Sequence, residues 1–280
     1  MISSADIEKK IRVLSSIGDI IEAMKAYAGV AIRKTEEIIL NIREYEKNVL
    51  LALADVVSAD SRIPVEERKG GKRLLVAFGS SQGLCGSYNE KIADTLSGIM
   101  TGEDSLFVIG NRLRSALESR GVGYEVYHES IVSVSGIRQA LRECIARLMD
   151  LYGNRDYYTL SLVYTSISEK QAAVSVEQIL PPAVGRVVSV GPATTPPLMH
   201  LETGIIFERL LEQYIGVSLY RGFVESVRSE NWYRLKSMEG ASENITRRIS
   251  DLDSLHKYVR QEEITGEMLE ILGSGGFYGH

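Results

Sequence analysis

A seven-residue apolar repeat that begins at Ile7 and meets no proline before Pro64 restricts the fold of this chain more than any other feature. Ile7, Leu14, Ile21, Ala28, Thr35, Ile42, Val49 and Val56 fall at one position of the repeat, and Ile17, Met24, Ala31, Ile38, Tyr45 and Ala52 lie three residues further on. Only Thr35, and Lys10 at the start of the second series, interrupt the pattern. A helix over this span is on the order of 80 Å long at about 1.5 Å per residue, a length that globular helices rarely reach. Its apolar stripe needs a second helix, because left in water it is an aggregation surface.

The last third of the chain supplies that helix. Leu210, Val217, Val224, Met238, Ile245, Leu252 and Val259 keep the same spacing, Asn231 is the single polar member, and Ala241, Ile249 and Leu255 widen the stripe. An Asn on such a seam costs stability but can fix register. Helices at opposite ends of a chain can pair antiparallel, which predicts a coiled coil of residues 1–60 with residues 201–273.

Between the two helices the pattern changes. Residues 62–73, with Pro64, Gly70 and Gly71 among charged residues, read as a linker. Short β-branched runs at 74–78, 106–109, 124–127, 160–164 and 174–179 are strand candidates. Helical patterns at 88–100, 111–120 and 136–151 alternate with them, which argues for a mainly parallel sheet. Pro181, Pro182, Gly191, Pro192, Pro196 and Pro197 mark a connection of low helix content before the last helix. The expected fold class is α/β: a long antiparallel coiled coil of the terminal helices with an inserted Rossmann-like open sheet domain over 72–190.

Composition narrows the function. A hydrophobic content of 44% with 25% charged residues is that of a folded globular chain, and the net charge of −5 disfavours a broad nucleic-acid surface. No apolar run approaches the roughly 18 residues of a membrane span, so membrane association is expected through a partner. The amino terminus carries neither a secretory pattern nor an Arg-rich transit pattern, which favours a prokaryotic chain.

Three features invite a catalytic reading. Residues 79–87 (Gly-Ser-Ser-Gln-Gly-Leu-Cys-Gly-Ser) stand between a strand and a helix, where phosphate is often cradled, but they lack the P-loop ending and the dinucleotide glycine spacing. Cys85 could be a thiolate at a helix start, a role that requires a base from among His128, His200, His256 and His280, none of which has a partner motif. Glu262, Glu263, Glu267 and Glu270 read as a solvated or partner-facing helix surface, and no metal-binding spacing occurs.

Residues 260–273, Arg-Gln-Glu-Glu-Ile-Thr-Gly-Glu-Met-Leu-Glu-Ile-Leu-Gly, resemble the carboxy-terminal signature of the gamma subunit of F-type ATP synthases. Ser229, Glu230, Arg234, Met238, Ala241 and Asn244 are similar to that family's preceding helix motif. Gly83, Leu84, Cys85, Gly86 and Asn89 are similar to its Gly-Leu-Cys-Gly-x-x-Asn loop, and Ile11-Arg12, Ala23-Met24 and Arg33-Lys34 also match. The resemblance implies a non-catalytic rotor that couples ion-driven rotation to ATP synthesis or hydrolysis, without a cofactor or metal of its own. Its implied partners are the alpha/beta catalytic hexamer, the epsilon subunit and the membrane c-ring, at the cytoplasmic face of a prokaryotic membrane. By the same resemblance, Arg234, Gln261, Thr265 and Glu267 contact a loop of the catalytic ring, and Ile271, Leu272 and Phe277 turn in an apolar bearing. Asp19, Glu22, Met24 and Lys25 are the implied contacts of the amino-terminal helix.

The chain departs from the family at two places. Ser80-Ser81-Gln82 replaces a charged Thr-Asp-Arg/Lys before the loop, and Asp19 and Glu22 stand where lysines are usual. These changes predict a divergent rotor whose own ring carries altered charge. They also sustain the alternative of a scaffold or adaptor that assembles no ATPase. A stand-alone cysteine enzyme is the third reading.

Overall fold

A computed structural model describes residues 3–60, 63, 72–129, 136–154, 157–168, 171–182 and 199–275. Along the chain these form α1 (Ser4–Ala59), β1 (Lys72–Phe78), α2 (Tyr88–Ile99), β2 (Ser105–Ile109) and α3 (Asn111–Glu118). They continue as β3 (Val126–His128), α4 (Ile137–Asn154), β4 (Tyr157–Ser168), β5 (Gln171–Leu180) and α5 (Thr203–Gly275). Most of the linker expected over 62–73, and the connection through Gly191, Pro192, Pro196 and Pro197, lie outside the described residues. The chain divides into two compact units, Met1–Tyr27 with Leu235–His280, and Ala28–Arg234.

In the first unit, α1 begins at a reciprocal cap. The Asp6 amide donates to Ser3 Oγ at 3.2 Å, and the Ser3 hydroxyl donates to Asp6 Oδ2 at 2.9 Å, which satisfies part of the helix end. Ile7 and Ile21 are buried, and a Cβ on Gly18 would lie 3.8 Å from Ile245 Cγ2 of α5. Residues from the start of α1 meet residues from the end of α5: the Ser4 amide donates to Glu263 Oε1 at 3.0 Å, and Ser242 Oγ donates to Glu22 Oε1 at 2.9 Å. The pairing is therefore antiparallel.

In the second unit the same two helices pair in the same sense. Thr203 Oγ1 donates to Asp60 Oδ2 at 2.6 Å, and Arg43 Nη2 to Glu225 Oε1 at 2.7 Å. One sequence expectation is corrected here. At the three-residue interval Ala31 is buried and Ile38 packs against the core, but the more deeply buried line lies four residues after the first, at Ile39, Glu46 and Leu53. Ile39 is 3% and Leu53 0% exposed, whereas Tyr45 is 51% exposed. In the first unit the same shift leaves Ile17 41% exposed. Heptad spacing alternates three and four, so a single repeating series leaves its companion free to fall on either flank. The apolar residues at the shorter interval pointed to the less deeply buried one.

The sheet has the order β3-β2-β1-β4-β5, with β1 parallel to β2 and β4, β2 parallel to β3, and β5 antiparallel to β4 at the edge. Strand β1 shows why both faces are covered. Leu74, Val76 and Phe78 enter one core with residues of α1, α4 and α5, while Leu75 and Ala77 enter the other with residues of α2 and α3. Buried on both sides, such a strand must be apolar throughout. Strand β3 begins at Val126 and not at Tyr124, because pairing with β2 starts at Phe107 opposite Val126.

Helix α5 crosses the sheet where the strand order reverses. Phe223 packs edge-on against Phe78 at the end of β1, with ring centroids 5.0 Å apart. A Cβ on Gly222 would lie 2.7 Å from that Phe78 ring. Gly222→Ala should therefore lower stability by about 1–3 kcal/mol through overpacking. Gly98→Ala, in a helix with open space around the added methyl, should raise it by about 0.5–1 kcal/mol. Paired thermal melts check both signs, and a stabilised Gly222→Ala would contradict the packing described.

Candidate functional site

The loop after β1 is held from within. The Ser80 amide donates to Asn89 Oδ1 at 3.0 Å, and Asn89 Nδ2 donates back to Ser80 Oγ at 2.9 Å, so one asparagine on α2 pins the loop at both ends of its own amide. Asn89 Nδ2 also lies 3.5 Å from Cys85 Sγ. Gly110, at the end of β2, has φ +109°, and a Cβ there would sit 2.7 Å from the carbonyl carbon of Gly79. Only glycine allows that approach. Leu84 has φ 65°, a left-handed conformation that costs a branched residue stability, and its side chain is exposed.

Cys85 is buried, and burial pushes its thiol above the usual range, with the Ser80 hydrogen bond opposing this. Its polar neighbours are the Ser80 hydroxyl at 3.4 Å, the Gln82 carbonyl at 3.7 Å and the Asn89 amide. None of these is a base. His128 is occupied with Glu143, Nε2 to Oε2 at 3.0 Å. Burial also pushes the Cys144 thiol up, to about 12. A neutral, enclosed thiol packed among hydrogen-bond partners holds a loop in place and does not attack a substrate.

Helix α5 covers this loop and fills the crevice at the strand ends. The Tyr88 hydroxyl, at the start of α2, lies 2.8 Å from Ser226 Oγ, and Ser229 Oγ donates to the Thr165 carbonyl on β4. In an open parallel sheet that crevice is where ligands bind. Here it holds side chains of the chain's own helix.

Because α5 is enclosed, its charges are paired inside the protein. Glu225, fully buried, accepts from Arg43 Nη2 on α1, and Arg228 reaches Glu36 at 3.3 Å. Arg221 meets Glu46 of α1 (Nε to Oε2, 2.7 Å), Glu177 of β5 (Nη2 to Oε1, 2.9 Å) and the Tyr164 hydroxyl of β4. Burial opposes the Arg221 charge, yet the Glu46 carboxylate and its neighbours raise the guanidinium's pKa overall. Arg234 pairs with Glu230 one turn back and donates to Asn231 Oδ1 at 2.9 Å.

Arg234 is 3% exposed and engaged within its own helix, so in this conformation its side chain is not displayed to a neighbour. Asn231 does not bridge the two helices: its Nδ2 donates to the Val227 carbonyl and its Oδ1 accepts from Arg234. Gln261, Thr265 and Glu267 are exposed on the last turns of α5, as are Ile271 and Leu272, while Phe277 lies outside the described residues. On α1, Asp19 and Glu22 are exposed and Met24 and Lys25 half-buried, and Lys25 Nζ donates to Glu22 Oε1 at 2.9 Å. Gly83 faces Arg112, Nη2 of which would lie 3.3 Å from an added Cβ, and Gly86 has φ +52°.

Compared with known protein families, residues 3–275 match the model described as ATP synthase. The chain belongs to the ATP synthase family. It is 28% identical over 285 residues to the ATP synthase gamma chain of Geotalea uraniireducens (strain Rf4), covering 97% of each chain. It is also 28% identical over 289 residues to the ATP synthase gamma chain of Heliobacterium modesticaldum (strain ATCC 51547 / Ice1), covering 98% of each. Among solved structures its fold is similar to a chain of the central stalk/c-ring of Tetrahymena thermophila mitochondrial ATP synthase. That likeness has a TM-score of 0.62 and 21% identity, over 80% of this chain and 99% of that one. In this ATP synthase family chain, then, the loop after β1 and its cysteine are hydrogen-bonded within the chain, and Tyr88 at the loop's end is bonded to α5.

The Glu230–Arg234 pair gives a pH-dependent test. Burial raises the Glu230 pKa, and Arg234 opposes that rise. A carboxyl with a raised folded pKa favours the native state below its unfolded pKa and loses that contribution as pH rises through the folded value. Arg234→Ala removes the opposing charge, so it should cost about 3–5 kcal/mol at neutral pH, where Glu230 must ionise unpaired or take up a proton. Chemical denaturation from neutral pH down to pH 4.5 should show the deficit shrinking, and a constant deficit would exclude the coupling. The Cys85 thiol should alkylate more than tenfold slower in the native chain than in the denatured one at pH 8.

Proposed function

We propose that the chain is the central-stalk rotor (gamma) subunit of an F-type ATP synthase, which couples ion-driven rotation to ATP synthesis or hydrolysis in a surrounding alpha/beta hexamer. The observation that carries this reading is family membership over nearly the whole chain, joined to an antiparallel pairing of the two chain ends. Catalysis then belongs to the ring. The rotor's part is to present a different face to each catalytic subunit at each angle, so that nucleotide affinity and rotation bias one another in both directions.

The end of α5 suits such a task. Glu263 pairs with Ser4 at the start of α1, and further along α5 the side chains of Ile271 and Leu272 are 70% and 71% exposed. An apolar collar around them would bear the rotor with little angular preference, since apolar contact is non-directional. Gln261, Thr265 and Glu267 add a polar face for the ring's loop. We assign the epsilon subunit and the membrane c-ring as further partners of the sheet-bearing part. No helix among the described residues is long and apolar enough to cross a membrane, so attachment is peripheral, and we place it at the cytoplasmic face of a prokaryotic membrane.

Asp19 and Glu22 set the charge of the contact made by α1. A ring that evolved with this rotor should offer basic or neutral groups there, where a ring that expects lysine offers acids. Assembly with the ring encoded beside it, and with a typical ring, measures this directly. ATP hydrolysis coupled to ion pumping should be several-fold higher with its own ring, and no co-assembly with any nucleotide-binding subunit would leave the adaptor reading in its place. In the assembled complex, combined replacement of Gln261, Thr265 and Glu267 by alanine should reduce coupled ATPase several-fold. The melting temperature of the isolated chain should barely move, because the three side chains are exposed.

A further inference from the structure

We infer that Glu46, Ser218 and Arg221 form a register pin that locks α1, α5 and the sheet together, so that the paired helices cannot slip along one another while the rotor is under torque. This rests on the rotor reading for its purpose, but not for its geometry.

Glu46 occupies the seam itself, at the position shared with Ile39 and Leu53, where an apolar knob is the rule. Both of its carboxylate oxygens are used. Oε1 accepts from Ser218 Oγ at 2.6 Å and from Arg221 Nη2 at 3.3 Å, and Oε2 lies 2.7 Å from Arg221 Nε. The same guanidinium reaches Glu177 on β5 at 2.9 Å and Tyr164 on β4, and the Tyr164 hydroxyl donates to Glu177 Oε2 at 2.7 Å. One arginine therefore joins a helix from the start of the chain, a helix from its end and two strands.

Apolar seams resist separation better than sliding. A shift of one heptad reseats knobs in equivalent holes, and the energy of apolar contact has no direction to oppose it. The pin has direction. With α5 moved one heptad either way, Glu46 would face Leu211 and Tyr214, or Glu225 and Arg228. The first offers the buried carboxylate a tyrosine hydroxyl at most and no cation, and the second sets it beside another carboxylate with Arg228, which Glu225 and Glu36 already share. Both are penalised far more than a misplaced methyl group. A buried polar residue at a seam position is the best-attested device for fixing register, and it typically lowers stability compared with an apolar pair. Asn231, the residue whose type suggested that role, spends its amide inside α5.

The test separates register from folding and from assembly. Glu46→Leu/Arg221→Met replaces the pin with apolar residues of similar reach, and a buried ion pair exchanged in this way commonly leaves stability unchanged. Spin labels at exposed Leu40 and Gln213, read by pulsed dipolar spectroscopy on the isolated chain, report the α1–α5 offset. Wild type should give one narrow distance. The double variant should give a broadened or second population displaced by up to about 10 Å, the rise of one heptad. One narrow, unchanged distance in the double variant overturns the inference. Glu46→Gln, which keeps the Ser218 bond but removes the charge, gives a second reading should the double variant fold poorly, and an unbroadened distance there also counts against the pin. In the assembled complex the double variant should hydrolyse ATP at near the wild-type rate while pumping several-fold fewer ions per ATP. Failure of wild type to assemble with a ring would remove the rotor reading and leave the distance result standing.

Discussion

The pairing of the two chain ends is the constraint from which the rest of this structure follows. Neither α1 nor α5 could keep its stripe dry alone, and each finds in the other a partner with matching repeat. In the Ala28–Arg234 unit, α5 must also cover one face of the sheet, which surrounds its residues from Tyr214 to Arg234 with protein on most sides. A helix so enclosed would ordinarily be apolar all round. This one is not. It carries Arg221, Glu225, Glu230 and Arg234 inside, and the requirement that each buried charge find a partner explains the chain of ion pairs to α1 and to the sheet.

That arrangement decides what the sheet can do. Its strand order and the glycine-containing loop after β1 reproduce the framework on which many α/β proteins hold phosphate. The crevice is closed by Phe223, Ser226 and Ser229, and the loop's donors are spent on Asn89 and on one another. Cys85 illustrates the same point on one atom. Its placement at a helix start favours ionisation, while its burial outweighs that and keeps the thiol neutral. A framework that surrounds a ligand in other α/β proteins here clamps a helix, with side chains of α5 at the strand ends.

Much of the fold was legible because its signals are local. Strands β1, β2, β4 and β5 reveal themselves as β-branched runs, and α2, α3 and α4 as periodic segments bounded by glycine and polar residues, so their places were read to within a few residues. Strand β3 was displaced because its start depends on its neighbour's register, which no local pattern encodes. The seam shows a subtler limit. Ile7, Leu14 and Ile21 were visible as one line, but the companion line contains Glu46, and a rule that looks for apolar residues passes over a glutamate that a distant arginine neutralises. Arg234 was legible as a type of residue and a motif, not as a buried partner of Glu230, since burial is set by the sheet packed against it.

The reversed charges on α1 show how intramolecular and intermolecular demands share one surface. The family resemblance implies that Glu22 is offered outward, yet here its carboxylate is held by Lys25 and by Ser242 of α5, and these hydrogen bonds lower its pKa. A lysine at that position would face Lys25 across one turn and repel it. The acid therefore improves the helix pair at the same site where it changes the charge shown to a neighbour. Asp19, exposed one turn before it, has no equivalent bond across the seam among the described residues, so the packing of the two helices accounts for the acid at Glu22 and not for the one at Asp19.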